Sequence, residues 1–126
     1  MINALFTDSS YVAAKKMLDV SVLRHQAIAS NLANVETPNY KRMDVSASFE
    51  AQLRQAVAGQ NPAEIASLQP SLEIDATSIS SRADGNSVQL ETEMLKLNEN
   101  TVENTLETQL VSGSLAKMRL AINGRG

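Results

Sequence analysis

The chain contains no cysteine and no tryptophan, and its 126 residues include only two phenylalanines, two tyrosines, three prolines and one histidine. Without cysteine there is neither a disulfide nor a thiolate metal site. With so few rings, the 43% apolar content is carried by aliphatic residues and alanine. That composition suits long helices burying stripes against neighbours better than a core filled by large side chains. Basic excess is also lacking: 14 acids face 11 bases, a net charge of −3. This argues against a phosphate-backbone binder, which needs a basic face, so no nucleic acid is expected as a partner. No apolar run is long enough to span a bilayer, and no direct membrane insertion is expected. The opening residues, MINALFTDSS, have neither the basic leader nor the apolar run of a cleaved secretory signal. Any export is therefore expected by a route that reads no such signal.

Catalytic constellations are missing too. His25 is the only side chain that titrates near neutral pH without perturbation, and no HExxH, glycine-rich phosphate loop or nucleophile elbow accompanies it. A lone histidine within a helix reads as a packing or surface residue, so no enzyme and no cofactor are expected. Asn31 and Asn34, near a helix end, read as side chains bonding to backbone, and Lys41-Arg42 as a solvated pair.

What the chain does have is helical pattern. From Ser9 or Ser10, each a suitable N-cap, helix-compatible sequence runs to about Val35 without glycine or proline. Tyr11, Ala14, Leu18, Val22, Ala29 and Leu32 recur at three- and four-residue steps and mark an apolar face, widened by Leu23 and Ile28. Pro38 must end this helix, because it pushes Thr37 out of the α region and lacks an amide hydrogen. Pro38 and Asn39 fit the central positions of a type II turn, the second of which needs a residue tolerating positive φ. Phe49, Leu53 and Val57, with Asp44, Ser46 or Ser48 as cap, predict a helix of two or three turns ending near Gly59. Residues 59 to 87 hold Pro62, Pro70, two glycines and many serines, and read as an extended or disordered linker arm. A short helix after Asn61-Pro62 and a strand-like Leu72 to Asp75 are the only elements expected there.

In the last third, Leu90, Met94, Leu97, Thr101, Asn104, Thr108, Val111, Leu115, Met118 and Ile122 follow a 4-3-4-3 spacing that keeps one seam facing a partner helix. The middle of the seam is polar, and Met94 and Met118 are expected in the core. Leu95, Val102, Leu106 and Leu110 form a second stripe on another face. Glutamates gather early (Glu91, Glu93, Glu99, Glu103, Glu107) and bases late (Lys117, Arg119, Arg125), complementing the helix dipole. Asn123-Gly124 is a stop. Such a helix, from Ser87 to Ile122, measures about 50 Å. The N-terminal helix can cover one stripe of it, and the other needs a second chain. The expected fold is all-α, with an N-terminal helix in residues 1–35, a turn, short helix and arm in 36–86, and a C-terminal helix in 87–126. The terminal helices pair as an antiparallel coiled-coil layer.

Residues 22 to 42 resemble the N-terminal motif shared by flagellar rod and hook proteins. That motif has an Arg-Gln-like pair before Ile-Ala-x-Asn-Leu-Ala-Asn and then Thr-Pro-Gly-Tyr-Lys. Here it reads His25-Gln26, then Ile28, Ala29, Asn31, Leu32, Ala33 and Asn34, then Thr37, Pro38, Asn39, Tyr40 and Lys41. Asn39 stands where glycine is usual, and both residues accept positive φ. The short length, the helix from Phe49 to Leu53, the run Asp84 to Met94 and the ending Met118 to Ile122 are similar to a short proximal member of the flagellar basal-body rod family, another such short member being the alternative.

The resemblance implies a structural subunit rather than an enzyme. Its implied partners are copies of itself, other rod proteins, the membrane-ring or rod-adaptor protein at the proximal end, and the flagellar type III export apparatus. Its implied place is the periplasmic rod, reached without a cleaved signal, where it passes torque from membrane ring to hook. The residues implied in the motif and turn are Gln26, Ile28, Asn31, Leu32, Asn34, Thr37, Pro38, Asn39 and Tyr40. Those expected to pack or assemble are Leu18, Val22, Leu90, Met94, Leu97, Val102, Leu106, Leu110, Val111, Leu115, Met118 and Ile122. A small enzyme and a helical chaperone or adaptor are the rival classes.

Overall fold

The computed structural model describes residues 9–80 and 82–124; the opening segment, Ser81 and the late base Arg125 lie outside the described residues. Two long helices dominate. Helix α1 runs Ser9–Ala33 and α4 runs Leu90–Ile122, with β1 (Met43–Val45), α2 (Ala47–Ala58), α3 (Pro62–Ser67) and β2 (Leu72–Ile74) between them. Helices α1 and α4 pair antiparallel, since Asn31 reaches Glu93 near one end and Ser21 meets Asn100 and Asn104 further along.

Where α1 ends, the amides of Asn34 and Val35 still reach back to Ser30 and Leu32, and then Pro38 stops the helix. The Tyr40 amide donates to the Thr37 carbonyl at 3.3 Å and Asn39 has φ +62°, as a type II turn requires. The turn returns the chain along α1 instead of leading it away. Strand β1 pairs antiparallel with β2, Met43 opposite Ile74 and Val45 opposite Leu72.

The stretch after residue 59 carries the short helix and the strand expected there, with extended chain between them, and packs back on α1. Asn61 caps α3, its side chain accepting from the amides of Ala63 and Glu64, with Pro62 in the first turn where no amide hydrogen is needed. Lys16 of α1 donates to the Leu68 carbonyl at 2.8 Å, holding the far end of α3 against α1. Ser46 caps α2 by accepting from the Phe49 amide.

Burial explains why the arm folds down. Val45, Phe49, Leu53, Ala56 and Ile65 close a core with Ala13 and Val20 of α1, and Val12, Leu23, Leu68 and Leu72 pack around it. Ala56, not the expected Val57, completes the inner face of α2. Tyr11, Ala14 and Ile28 of the predicted α1 face are buried and Leu18 and Leu32 half-buried, whereas Val22 and Ala29 are exposed. Two different partners share α1, the arm and α4, so its buried residues spread beyond one stripe.

The geometry at Asn39 sets a test. Asn39→Gly should leave stability nearly unchanged, because glycine adopts the same φ without strain. Asn39→Val should lose roughly 1–3 kcal/mol, because a β-branched side chain is a steric outlier at positive φ. Urea midpoints of the two variants measure the difference, and equal values would rule the turn out.

Candidate functional site: a polar joint and bare helix faces

Of the expected motif residues, Asn31, Asn34, Thr37, Asn39 and Tyr40 meet in one polar joint. Asn31 is fully buried one turn before the end of α1. Its side-chain amide donates to the Met43 carbonyl at 2.9 Å and to Glu93 at 3.3 Å. Its oxygen accepts from the Met43 amide at 2.8 Å and from the Tyr40 hydroxyl at 3.3 Å. A single asparagine thus ties the end of α1, the start of β1 and the first turn of α4. Asn34 closes α1 by donating to the Ser30 carbonyl and accepts from the Thr37 hydroxyl, while Gln26 lies exposed on α1.

A facing strand of backbone completes the joint. The Asn39 amide donates to the Asp84 carbonyl, the Ser87 amide to the Tyr40 carbonyl, and the Arg42 amide to Ser87 Oγ. Asn86 is almost wholly buried, and its amide nitrogen donates to the carbonyls of Asn34, Val35 and Thr37 at 2.8 to 3.1 Å. It thereby satisfies the carbonyls left open at the end of α1. Gly85 (φ +77°) passes so close that a Cβ there would lie 2.5 Å from Asn39 Oδ1. The Lys41 ammonium donates to the Gly85 carbonyl.

Arg42 is the principal correction to the sequence reading. Instead of standing solvated beside Lys41, it is only 2% exposed. Its guanidinium meets Glu93 at 2.5 Å, Asp75 at 2.5 Å and Asp44 at 3.2 Å. Burial alone would lower its pKa, but hydrogen bonds to Glu93 and Asp75 and the attraction of Glu93 and Asp44 hold it above its ordinary value. Burial pushes Asp44 and Asp75 upward. The bonds from Arg24 and the Val45 amide at Asp44, and from Thr77 and Arg42 at Asp75, outweigh that and hold both below the usual carboxylate range. Arg24 extends the network from α1 to Asp44 and Glu50. Neighbouring basic residues gave no sign that one would be buried; the signal, an acid count that Arg42 could balance, is spread over residues 44, 75 and 93.

The long helix departs from expectation in the face it turns inward. Helix α4 meets α1 through Glu93, Leu97, Asn100, Asn104, Glu107, Val111, Ser114 and Met118, again at 4-3-4-3 spacing. The predicted seam shares only Leu97, Asn104, Val111 and Met118 with this line. Leu90, Met94, Leu115 and Ile122 stay in water, and Met94, expected in the core, is 46% exposed. The second stripe, Leu95, Val102, Leu106 and Leu110, is exposed along its length. The physical reason is Arg42: pairing its charge with Glu93 rotates α4 so that a polar line faces inward. Glu93 therefore serves as an ion-pair partner in addition to any dipole role.

Among the described residues no group of histidine, cysteine, aspartate and glutamate is placed to hold a metal ion, and no helix is long and apolar enough to cross a membrane. His25 lies exposed on α1, in a shallow groove with Val22, Asn100 and Asn104. A rigid joint with a long helix carrying bare apolar rows defines a helical structural protein.

No family model matches the chain. It is 31% identical over 127 aligned positions to the flagellar basal body rod protein FlgB of Borrelia hermsii, covering 86% of this chain and 92% of that protein. It is 41% identical over 46 positions to FlgB of Borreliella burgdorferi, covering 36% of this chain and 33% of that one. The chain belongs to the FlgB family of flagellar basal body rod proteins. Membership of this structural family makes it a non-enzymatic protein.

The joint generates a prediction with a sign. Glu93→Ala leaves Arg42 short of its most buried partner and should cost about 3 kcal/mol at neutral pH. A carboxylate held below its ordinary pKa adds stability above about pH 4, and that stability is lost as the pH falls through the lower folded value. Wild type should therefore exceed Asp75→Asn by a constant margin near neutrality, and the margin should shrink below about pH 4. Urea titrations across pH measure it; a margin independent of pH would remove Asp75 from the network.

Proposed function

We propose that the chain is a structural subunit of the proximal flagellar rod. It stacks with copies of itself and with other rod proteins, and meets the membrane-ring or adaptor protein at the proximal end. In this reading it lies in the periplasm, is exported by the flagellar type III apparatus, and carries torque from membrane ring to hook. One observation carries it. Leu90, Met94, Leu95, Val102, Leu106, Leu110, Leu115, Leu120 and Ile122 are all at least 42% exposed on a helix of 33 residues. Each contributes roughly 1.5–3 kcal/mol when fully buried, so covering even part of the row drives association. The family membership and the motif of residues 25 to 41 support the same reading.

Leu115→Pro tests it, because proline removes a helix hydrogen bond and breaks the exposed row between Leu110 and Leu120. The variant should abolish motility and be absent from isolated basal bodies, while normal motility would count against assembly through α4. Hydrogen exchange on dilute monomer supplies an independent check. Amides of α1 near Asn31 and of the first turns of α4 should be protected by the joint. Residues 108 to 122 should exchange fast and gain protection on assembly. Full protection of α4 in the monomer would mean the fold needs no neighbour.

A further inference from the structure

Helices α1, α2 and α4 line an open groove of about 550 Å³ whose walls include Met17, Leu53, Leu106 and Leu110 and whose acids are Glu50, Glu103 and Glu107. Glu107 is 8% exposed, and its Oε2 is buried with no hydrogen-bond partner among the described residues. A buried carboxylate oxygen left in this state is costly and is relieved by a cation. The cations already lining the groove make no ion pair with it among the described residues, although the charge of Arg24 favours its ionised form. Arg24 is held by Asp44 and Glu50, and Arg54 makes no ion pair among the described residues.

The other end of α4 carries the complementary chemistry. Leu115, Arg119 and Ile122 follow i, i+4, i+7 spacing and form one exposed stripe, a guanidinium between two apolar side chains. Arg119 makes no ion pair among the described residues. This stripe lies nine residues beyond Leu106 and Leu110, about two and a half helical turns, and so on the opposite side of α4 from the groove. A surface that matches a different surface of the same chain makes a heterologous contact, which repeats head to tail instead of closing a two-fold dimer.

We propose that the Leu115, Arg119 and Ile122 stripe of one copy docks in the α1, α2 and α4 groove of the next, with Arg119 pairing with Glu107. This rests on the rod reading and specifies the contact through which copies stack.

The chain's lack of cysteine makes the contact directly testable. Leu106 and Ile122 lie about 24 Å apart along one helix, too far for an intrachain disulfide. In basal bodies from cells whose only protein of this family is the Leu106→Cys/Ile122→Cys chain, oxidation should give a ladder of dimers, trimers and larger species. Each single-cysteine chain should stay uncrosslinked. Disulfide dimers from a single-cysteine chain would show a two-fold contact and overturn the proposal. Chain present without a ladder would overturn it too, by assigning the groove to a different protein, while leaving the rod reading intact. Absence of even the unmodified chain from basal bodies would overturn both.

Charge variants decide the matter if either cysteine blocks incorporation. Arg119→Glu should cut incorporation at least tenfold with an unchanged monomer circular dichroism spectrum, and Arg119→Lys should largely restore it. Glu107→Gln separates assembly from folding. Burial raises the Glu107 pKa, helped by Glu103 and opposed by Ser21 and Arg24, so its charge destabilises the monomer at neutral pH. The amide should therefore raise monomer stability and yet lower incorporation. Incorporation unaffected by both Arg119→Glu and Glu107→Gln would overturn the pairing.

Discussion

The structure turns on one buried guanidinium. Arg42 follows directly from the turn that ends α1, and its charge cannot remain inside without acids around it. Those acids come from β1 (Asp44), the residue after β2 (Asp75) and the first turns of α4 (Glu93). Satisfying a single side chain therefore requires three segments, distant in sequence, to meet at one place. Asn31 supplies the fourth, because it bonds Glu93 and both backbone groups of Met43. Buried ion pairs are a weak source of net stability, but removing one partner is expensive, and this asymmetry favours a single arrangement over many near-equivalent ones.

That arrangement sets the rotation of α4 and thereby its unusual distribution of side chains. Helix pairs normally hide apolar residues and expose polar ones. Here Asn100 donates to the Ser21 carbonyl and Asn104 to the Ser21 hydroxyl within the seam, while leucines face water. Polar seam residues cost stability and fix register, as a buried asparagine does in a coiled coil. Among the described residues Asn100 Oδ1 and Glu107 Oε2 have no hydrogen-bond partner, so the seam itself leaves two buried acceptors unpaired. Burial is accordingly uneven: densest around the joint and the core closed by Phe49 and Ile65, and sparsest toward the end of α4 beyond Val111, where Met118 alone among the described residues is buried.

The sequence made the helices legible because their signals are local. Pro38 and the Gly59 and Asn123-Gly124 stops act on neighbouring residues, and Asn39 announced its positive φ through its type and the preceding proline. The short helix after Asn61-Pro62 and the strand at Leu72 were legible for the same reason. The arm's folding down on α1 was not, because it depends on pairing across the sheet and on Ile65 reaching a core assembled from remote residues. The inward face of α4 was hidden by a more basic ambiguity. Two lines of 4-3-4-3 spacing run along that helix, and hydrophobicity favours the one that the chain itself leaves bare. The charge of Arg42, whose partners lie 2 to 51 residues away, together with the bonds of Asn31 to Glu93 and of Asn100 and Asn104 to Ser21, chooses the other.

That division of labour bears on the rod reading. Inside the subunit, charge and hydrogen bonding fix geometry through directional contacts that tolerate little rotation. Outside it, apolar rows provide attraction that depends on area and hardly on angle. A chain built the other way, with an apolar seam and a polar exterior, would be a more stable monomer with less reason to associate. Here the residues that could have completed a private core are held outward, and the free energy of burying them remains available for contacts between chains. A joint stiff enough to keep α4 at one rotation also presents those rows at one angle, which repeated stacking in a shaft requires, since an error in each subunit would accumulate along the length.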